Sequence, residues 1–577
     1  MTKIINIQGI INKIMLPINK NQRFYLSIMV LFSISILFIE YGRCSRMRAG
    51  LEMFADVYFL CVIITILPVK LRKPIKYIVF GLLYVIGLVD MACYQIMGTA
   101  LVPAVVQTWL QTNIQEATEI LHTYLKPSLL FSPIALFFIL PLFVYFIKGK
   151  TLNLHRYLLF LLFVLTLTSA VYGINNKRYL HNIYTRVSDD DMEEFVDNGL
   201  SMTHEYLPIY RLGLSIKEIQ RFSEMRNRLL TNVKNTRVDS CSFESPIIVL
   251  IIGESYNRHH SSLYGYDIRT TPYQEHLYKE KNLYSFKNVI ASYNLTFKSF
   301  QNMMTLYDYD SKGQWYNYPI LPALFKRAGY KVNFISNQYT LDKASAFTDY
   351  TEDVFMNNPE ITSYMFDWRN EKSYSYDMDL INDYLSVPDT IGTMPQFVIF
   401  HFIGMHADFR SRYPTEQAVF SAANYLRTDL NNEEKQVLAD YDNAVVYNDY
   451  VINNIIDVFS QKDAIVIHVP DHGELVYDGC QEMGRNQKLQ RKYIIPQYDI
   501  PFWIYCSNTY KKEHPAICRQ IENATERPFM TDDLPHLLLY LAGIKCKWYQ
   551  RERNLIDNSY NSTRKRFIRG EIDYDKL

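Results

Sequence analysis

The sequence lacks an excess of charge of either sign, a zinc-ribbon cysteine pattern, a low-complexity tract and an internal repeat. Its 60 basic and 59 acidic residues nearly cancel, so the charge balance does not favour nucleic acid as a partner. None of its eight cysteines is in a CxxC spacing, which leaves no indication of a zinc ribbon. At 577 residues the chain is too long for one ordinary domain.

Long apolar runs set the first 175 residues apart from the remainder, which has ordinary globular composition. Each run has about 16 to 21 residues, close to the roughly 20 that a transmembrane helix needs. A helix buried in a globular core seldom stays apolar on every face over that length. The sequence therefore predicts an α-helical membrane domain over residues 1–175, with five transmembrane helices near 24–39, 53–69, 77–97, 129–147 and 157–174.

Basic residues between the runs predict the orientation of this domain. Three basic segments share one side of the membrane, which the positive-inside rule assigns to the cytoplasm. They outnumber the arginines at 43, 46 and 48, which lie in a predicted loop on the opposite side. Five spans then carry the rest of the chain out of the cytoplasm, with the first span as an uncleaved anchor. The three segments comprise Lys3, Lys13, Lys20 and Arg23; Lys70, Arg72, Lys73 and Lys76; and Lys148, Lys150 and Arg156.

After a polar connector over residues 176–245, short apolar strands alternate with helical stretches. This alternation favours a mostly parallel sheet that is covered on both faces. The sequence therefore predicts an exported α/β domain over residues 246–577. The predicted strands lie within 246–255, 286–291, 330–336, 396–404, 464–473 and 500–506.

Several of these strands end in residues that can bind a metal. One ends at Glu254, another, in the stretch IVIHVPDHGEL, at Asp471 and His472, and a third leads to His401 and His406. Ligands of open α/β sheets bind at the carboxyl ends of strands, and zinc accepts carboxylates and imidazole in a site with an open position. The alternatives are structural: a helix cap at Glu254 or Asp471, and a hydrogen-bonded core histidine at His401.

A metal at this edge of the sheet would activate a hydroxyl group. It polarises a phosphoryl or sulfuryl oxygen and lowers the pKa of a hydroxyl bound to it, so that a serine or threonine becomes a usable nucleophile. The segment ASYNLTFKSFQNMMTL offers Ser292, Thr296 and Ser299. The residues alone do not choose among the three.

The order of these motifs resembles that of the bacterial phosphoethanolamine transferases, membrane enzymes of the alkaline phosphatase and sulfatase superfamily. The likeness begins in IIGESYNRHHSSLYGYDIRTTP and continues through FHFIGMHADFRSRYP, YDNAVVYNDY, VPDHGEL and MTDDLPHLLLYLAGI. It covers the exported domain from end to end, and five preceding spans also fit. Each motif is short, but their shared order is specific to the family.

The resemblance implies a role for each candidate residue. Thr296 corresponds to the nucleophile, which carries the transferred group as a phosphothreonine. His406 matches a histidine that helps to position the phosphoethanolamine group, and Asn337 is a lesser substrate-binding candidate. The residues that the resemblance implies for binding Zn²⁺ are Glu254, Thr296, Asp471 and His472.

The chain departs from the family pattern at two places. In the lipid A-modifying branch, cysteines four residues before and six after the nucleophile form a disulfide, but this chain has Ser292 and Asn302 there. A second substrate histidine usually follows D-H-G-E by about a dozen residues in the family; here Asn486 or Gln487 stands in the corresponding segment. The motifs before Thr296 are closer to the branch that modifies core sugars, so the acceptor stays open between core sugar and lipid A.

A polar segment between the third and fourth predicted spans, PAVVQTWLQTNIQEATEILHTYL, is helical in pattern. Thr108, Thr112 and Glu116 recur at intervals of four and therefore share one helix face. The family carries Asn, Thr and Glu at this spacing, where the donor headgroup is thought to bind. The resemblance thus implies a substrate-binding role for the three residues, and a solvated helix face is the alternative.

The resemblance implies a bacterial inner-membrane enzyme whose catalytic domain lies in the periplasm. The expected reaction transfers phosphoethanolamine from phosphatidylethanolamine to a lipopolysaccharide. A phosphoglycerol transferase of the same superfamily and a membrane-tethered binding module with a degenerate site are the alternatives. A hydrolytic sulfatase is disfavoured, because the C/S-x-P-x-R pattern of those enzymes is absent around Thr296.

Overall fold

The computed structural model describes residues 13–38, 46–97, 133–147, 208–338, 353–387, 394–485, 490–568 and 572–577, with short stretches between 155 and 168. The chain divides into two units, residues 1–223 and 224–577. This boundary falls inside the predicted connector, and the three-part division given above stays a prediction.

The described part of the first unit is helical. In this part, the stretch Val69–Gln95 is long and apolar enough to cross a membrane, and Gln22–Phe38 is a shorter apolar helix. These helices fall on predicted spans, while the count of five stays a prediction. The helices are α1 (Leu16–Lys20), α2 (Gln22–Phe38), α3 (Arg46–Ile66), α4 (Val69–Met97) and α5 (Ile134–Ile147).

The break between the second and third predicted spans differs from the prediction. Only Leu67 and Pro68 separate α3 from α4, because a proline disfavours helical backbone at the residue before it. Arg72 donates to the backbone oxygens of Leu67 (2.9 Å) and Thr65 (2.7 Å), at the end of α3. The predicted loop of basic residues consequently lies in the first two turns of α4: Lys70, Arg72, Lys73 and Lys76.

Helix α6 (Pro208–Asn235) crosses the boundary between the units, and a seven-stranded sheet forms the centre of the second unit. The strand order is β2-β7-β6-β1-β5-β3-β4, and β7 alone runs against the other six. The sheet is thus mixed, with the predicted parallel centre. Its strands are β1 (Ile247–Gly253), β2 (Leu283–Phe286), β3 (Lys331–Ser336), β4 (Trp368–Arg369), β5 (Gln396–His401), β6 (Ala464–Pro470) and β7 (Phe502–Cys506).

One predicted strand is wrong in its bounds, and one strand was not predicted. The segment 286–291 is not a single strand: β2 ends at Phe286, and Val289–Ile290 pairs with Phe529–Met530 outside the main sheet. The interruption moves the chain away from the sheet before it reaches Thr296. Strand β4 has only two residues, too short to give an alternating pattern in the sequence.

Helices cover the sheet, and the largest packs its apolar face against the central strands. This helix, α12, begins at a capping box in which Asn431 and Glu434 bond each other's backbone. Val445 and Ile452 on α12 belong to the same buried core cluster as Val466 on β6. The helices of this unit are α7 (Pro272–Lys279), α8 (Thr296–Met304), α9 (Leu321–Ala328), α10 (Pro359–Thr362), α11 (Asp379–Ser386), α12 (Asn432–Phe459), α13 (Arg491–Tyr498), α14 (Asn508–Glu513), α15 (Pro515–Ala524) and α16 (Leu534–Ala542).

The register of the three central strands brings their carboxyl ends to the same level. Ile252 on β1 is opposite His401 on β5 and Val469 on β6. Gly253 is opposite Pro470, so the next residues along the two strands, Glu254 and Asp471, leave the sheet side by side. The parallel register therefore places two carboxylates at one edge of the sheet, as the sequence predicts.

Candidate active site

Three predicted metal ligands converge at the carboxyl edge of the sheet. Glu254 follows β1, and Asp471 and His472 follow β6; all three side chains are buried. One ligand atom from each lies within 4.8 Å of the others. Backbone hydrogen bonds hold the two strand ends together, since Asp471 N donates to the carbonyl of Gly253 at 2.9 Å.

The hydroxyl of Thr296 completes this cluster. Thr296 is the first residue of α8 and is half-buried. Its Oγ1 lies 3.2 Å from Oε2 of Glu254 and 3.3 Å from Nε2 of His472. The start of a helix carries partial positive charge and free N–H groups, which favour an anionic oxygen or a phosphate group at that place.

The spacing of the four side chains matches that of ligands around one ion. Nε2 of His472 also lies 3.2 Å from Oδ2 of Asp471 and 3.6 Å from Oε1 of Glu254. Ligand atoms placed tetrahedrally at about 2.0–2.1 Å from a zinc ion are about 3.3 Å apart. The distances around Thr296 Oγ1 and His472 Nε2 lie close to that value.

Two observations on the cluster indicate a bound cation. Nδ1 of His472 lies 2.8 Å from the carbonyl of Gly473 and donates its proton there, so Nε2 bears a lone pair that faces carboxylate oxygens. Oδ2 of Asp471 is buried and has no hydrogen-bond partner within the described residues. Nε2 of His472 has a donor in Arg485 Nη1 at 3.1 Å, but Oδ2 of Asp471 lies 3.2 Å from that nitrogen with no donor of its own, and a cation between the two would relieve their repulsion.

Burial strengthens this conflict. Burial and the neighbouring charge of Glu254 raise the pKa of Asp471 well above its usual range. Burial also lowers the pKa of His472 to about 4, so the ring stays neutral at neutral pH and keeps its lone pair. A neutral imidazole, two carboxylates and a hydroxyl form a donor set that suits zinc.

Comparison with known protein families agrees with this site geometry. The family model described as "Sulfatase" matches residues 246–544, more than half of the chain. The chain belongs to the sulfatase family.

Relatives within this family are phosphoethanolamine transferases, which confirms the resemblance. The chain is 27% identical over 530 residues to the phosphoethanolamine transferase EptC of Escherichia coli strain K12, covering 88% of this chain and 87% of EptC. It is 29% identical to the crystal structure of the C-terminal periplasmic domain of EptC from E. coli in complex with Zn, with a TM-score of 0.51, covering 59% of this chain and 96% of that one.

A third similarity extends over nearly the whole chain. The integral membrane phosphoethanolamine transferase EptA of Neisseria meningitidis has a TM-score of 0.50 and 17% identity, covering 92% of this chain and 98% of that one. At this identity the similarity concerns the fold alone. The similarity therefore extends over residues of both units of this sulfatase-family chain.

Ser255, the last residue of the G-E-S motif of this sulfatase-family chain, holds together the two loops that carry the candidate metal ligands. Its backbone N–H donates to Oδ1 of Asp471 at 3.1 Å, and its hydroxyl donates to Oε1 of Glu254 at 2.7 Å. Ser255 has a positive φ of 55°, which turns the chain sharply after β1. The sequence analysis did not single it out, although its place directly after Glu254 was a signal.

Gly404 lets the loop after β5 pack against Glu254. A Cβ at Gly404 would lie 2.9 Å from the backbone N and O of Glu254, and its φ is +47°. Asp377 fixes this loop by accepting from the N–H groups of Ile403 and Gly404, each at 2.9 Å. Any larger residue at 404 would push the metal ligand out of place.

Asn337 supports the same loop through two hydrogen bonds. Its amide donates to Asp377 at 2.9 Å, and its oxygen accepts from the N–H of Tyr374 at 2.6 Å. The next residue, Gln338, bonds to the cluster: its amide lies 3.1 Å from Oε2 of Glu254. A substrate-binding role for Asn337 stays a prediction.

Two basic side chains lie near the cluster, one predicted and one not. His406, in the loop after β5, interacts electrostatically with Glu254 and His472. Arg485 was not predicted; its Nη1 lies 3.1 Å from Nε2 of His472. Asn486 and Gln487, the predicted substitutes for a second histidine, lie outside the described residues, directly after this arginine.

The two serines that competed with Thr296 are bonded elsewhere. Ser292 donates to Oδ1 of Asn302 at 3.1 Å. A buried hydrogen bond therefore joins the two positions at which the lipid A-modifying branch has its disulfide. Ser299 donates to the carbonyl of Tyr293 at 3.0 Å. Thr296 is thus the hydroxyl of the three that bonds to the candidate ligands.

Two further predictions concern His401 and the three residues proposed to bind the donor headgroup. His401 is a core histidine, since it is buried, lies 3.0 Å from Oγ of Ser336 and contacts the ring of Phe300. This is the structural alternative given above. The proposed donor-binding residues Thr108, Thr112 and Glu116 lie outside the described residues.

Proposed function

We propose that this protein is a zinc-dependent phosphoethanolamine transferase of the bacterial inner membrane, with a multi-pass membrane domain and a periplasmic catalytic domain. It transfers phosphoethanolamine from phosphatidylethanolamine to a lipopolysaccharide, either to a core sugar or to lipid A. The observation that carries the proposal is the hydroxyl of Thr296 at a helix start, 3.2 Å from Glu254 and 3.3 Å from His472.

Zinc would be held by Glu254, Thr296, Asp471 and His472. The uncompensated Oδ2 of Asp471 and the lone pair on His472 Nε2 support this assignment. When bound, zinc supplies a Lewis acid that stabilises charge on phosphoryl oxygens and lowers the pKa of a threonine hydroxyl. The same donor set without a metal would be a degenerate site, and its unrelieved repulsion argues against that alternative.

The first half-reaction uses Thr296 as the nucleophile. Its Oγ1 loses a proton and attacks the phosphorus of phosphatidylethanolamine. The bond from phosphorus to the diacylglycerol oxygen breaks, and that oxygen takes up a proton, so diacylglycerol leaves as an alcohol. Thr296 then carries phosphoethanolamine as a phosphothreonine at the N-terminus of α8, where helical N–H groups favour the phosphate charge.

The second half-reaction passes the group to the acceptor. A hydroxyl or phosphate oxygen of the lipopolysaccharide attacks the phosphorus and loses any proton that it carries, while Thr296 Oγ1 regains one. His406 orients the group or moves the proton. Arg485 binds phosphate oxygens with its guanidinium, which presents parallel donors suited to them, in the segment where the family usually has a second histidine.

The donor headgroup would bind at the membrane segment that carries Thr108, Thr112 and Glu116. A carboxylate that faces a lipid ammonium near the interface is screened less than in bulk water. Glu116→Gln should therefore raise the phosphatidylethanolamine concentration for half-maximal transfer and leave the zinc content unchanged. Unaltered kinetics in Thr108→Ala, Thr112→Ala and Glu116→Gln would assign these residues to a solvated helix face.

Product analysis tests the proposed function directly. The full-length protein is incubated with phosphatidylethanolamine labelled in the ethanolamine group and with lipopolysaccharide, and the product is measured by mass spectrometry. The expected result is a lipopolysaccharide that is heavier by one labelled phosphoethanolamine. A parallel incubation with phosphatidylglycerol in place of phosphatidylethanolamine covers the rival: a product that gains phosphoglycerol only there would assign the chain to the alternative branch. An acceptor left unmodified by zinc-loaded protein in both incubations would contradict transfer altogether.

A further inference from the structure

A cavity of 620 Å³ lies in the second unit, apart from the proposed zinc ligands. None of the four ligand residues lines it. Its size falls within the roughly 300–1,000 Å³ of ligand pockets in proteins. The reaction described above uses none of its side chains, although a reaction between two large substrates needs more binding surface than the four ligands offer.

Two walls of the cavity continue the loops that carry the metal ligands. His260 follows Glu254 by six residues, and Val476 follows His472 by four, and both line the cavity. Four residues of extended chain span at most about 14 Å. The cavity therefore begins within about 14 Å of His472. A chain of a few sugar rings spans such a distance.

Close packing fixes these walls relative to the cluster. The amide of Asn257 donates to the carbonyl of Glu474 (3.0 Å) and to Oδ1 of Asp478 (3.2 Å), so it joins the two loops. A Cβ at Gly473 would lie 2.2 Å from the backbone oxygen of Pro496, which lines the cavity. Helix α13 thus rests directly on the residue after His472, without space for a side chain between them.

The charge of the acidic wall residue of the cavity is partly offset. Oδ1 of Asp478 lies 3.3 Å from Nε2 of His260, whose Nδ1 lies 2.7 Å from Asp442. Burial alone would lower the pKa of His260, but the two carboxylates raise it to about 10. The ring is therefore a cation at neutral pH that is shared by the two carboxylates and reduces the negative potential of Asp478 in the cavity.

Two cations at the rim are not paired with a carboxylate side chain among the described residues. Arg427 is paired with Asp429 at 2.6 Å, whereas Arg491 and Lys492 are exposed. Nη1 of Arg491 donates to the backbone oxygen of Leu577 at 2.5 Å, so the other N–H groups of Arg491 and the ammonium of Lys492 are the donors left for an anion. Both stand at the first turn of α13. Their charges therefore face the cavity entrance and remain available for an anion.

The interior of the cavity is apolar and aromatic. Tyr266 and Tyr477 line it together with Leu438 and Pro496. The hydroxyl of Tyr266 donates to Asp442 at 2.8 Å, which fixes the ring. Aromatic side chains held in this way offer a flat apolar face beside polar groups, and the apolar face of a sugar ring packs on such a surface.

We propose that this cavity binds a phosphorylated sugar of the acceptor, with the sugar ring against the tyrosines and the phosphate group at Arg491 and Lys492. This inference rests on the proposed function and deepens it, because it assigns the acceptor side of the reaction to a surface that the metal cluster does not include. A sugar bound there lies against the loops that lead to Glu254 and His472 within a few residues.

Equilibrium binding tests the cavity without any transfer reaction. Zinc-loaded full-length protein in detergent is titrated calorimetrically with glucose 1-phosphate, glucose and inorganic phosphate. The double variant Arg491→Gln/Lys492→Gln removes both rim charges, and Lys512→Gln/Arg519→Gln removes two exposed charges of the same sign on α14 and α15. Two lost charge-assisted hydrogen bonds should weaken glucose 1-phosphate binding about tenfold or more, whereas the control pair should bind as the unaltered protein does.

Each outcome of this titration is decisive. Equal affinity in the rim variant and the control overturns the assignment of the phosphate to Arg491 and Lys492. Inorganic phosphate that binds as tightly as glucose 1-phosphate overturns the role of the tyrosine-lined interior. A tenfold loss confined to the rim variant and to the sugar phosphate supports the proposal.

A transfer assay separates this inference from the proposed function. The rim variant should raise the KM for lipopolysaccharide about tenfold, and the rise should disappear when the core phosphates have been removed enzymatically from the acceptor. Protein that binds glucose 1-phosphate through the rim but never modifies lipopolysaccharide contradicts the proposed function alone. Protein that modifies lipopolysaccharide with the same KM in both variants contradicts the cavity alone.

Discussion

The metal cluster and the neighbouring cavity are built on the same two loops, but their charges are compensated in opposite ways. In the cavity wall, the carboxylates of Asp442 and Asp478 meet the protonated ring of His260. In the cluster, the carboxylates of Glu254 and Asp471 meet the lone pair of His472. In the first arrangement an imidazolium lies between the carboxylates, while the second leaves Oδ2 of Asp471 without a partner within the described residues.

This difference separates chemistry from recognition along the loops. Residues next to the strand ends are held by backbone hydrogen bonds beside the hydroxyl of Thr296, the proposed nucleophile. Residues a few positions later form an open surface whose spare charge is positive. Changes in the cluster should therefore abolish transfer, and changes around the cavity should alter stability or acceptor affinity.

The largest effect is expected from Thr296→Ala. Loss of the nucleophile should lower transfer by about 10³-fold or more, while folding and metal content stay nearly intact, because the two carboxylates and the imidazole, which are the usual zinc ligands, all remain. Ser299→Ala is the matched control, since its hydroxyl bonds only the backbone of Tyr293 in the contacts that the structure gives. Full activity in Thr296→Ala would show that another hydroxyl is the nucleophile.

Removal of a ligand should affect metal and activity together. Glu254→Ala, Asp471→Ala and His472→Ala should each deplete zinc and abolish transfer, because each deletes one donor from the cluster. Metal content by mass spectrometry, measured beside transfer rates, checks this. If one of these variants kept stoichiometric zinc, the residue that it replaces would not be a zinc ligand.

A smaller loss is expected at Arg485. Arg485→Ala should lower transfer about 10- to 100-fold, since it removes hydrogen bonds to phosphate oxygens, and should leave zinc bound. Arg485→Lys keeps the charge without the planar fork and should recover part of the rate. Equal rates for all three proteins would remove Arg485 from the substrate site.

The smallest effect concerns the pH dependence of stability in the cavity wall. The pKa of His260 is raised to about 10 by Asp442 and Asp478, against burial, and the unfolded value is about 6.5. The stabilisation is therefore complete below pH 6.5 and is lost as pH rises toward 10.

Melting of the full-length protein followed by tryptophan fluorescence measures this loss. The melting temperature should fall by about 2 °C or more between pH 7 and pH 9.5 through His260, and His260→Gln should have a correspondingly flatter profile. Profiles of equal slope for the two proteins would show that the imidazolium does not stabilise the wall. Zinc content should stay constant in both.

The strand ends could be predicted from the sequence because local pattern and general topology both act there. The apolar runs before Glu254 and Asp471 predict buried parallel strands, and parallel strands bring their carboxyl ends to one edge. Thr296 needed the family resemblance, since Ser292 and Ser299 fit the same spacing. The structure distinguishes them through hydrogen bonds that only the folded loop creates.

Residues that act from distant loops could not be found in this way. Arg485 and Gln338 reach the cluster because their loops return to it, and no local periodicity encodes such a return. In the first unit, the break at Pro68 was available from the sequence, because proline disfavours helix at the residue before it. The apolar run of the predicted second span, residues 53–69, includes Pro68, so its length favoured a span that continued past the proline.

The account rests on Thr296 as the carrier of the transferred group. Zinc-loaded full-length protein is mixed with ethanolamine-labelled phosphatidylethanolamine in the absence of acceptor, quenched in acid, digested and analysed by peptide mass spectrometry. The account predicts labelled phosphoethanolamine on Thr296, none in Thr296→Ala, and its disappearance once lipopolysaccharide is added. Label on another residue, or transfer to lipopolysaccharide by the Thr296→Ala protein at an undiminished rate, would contradict it.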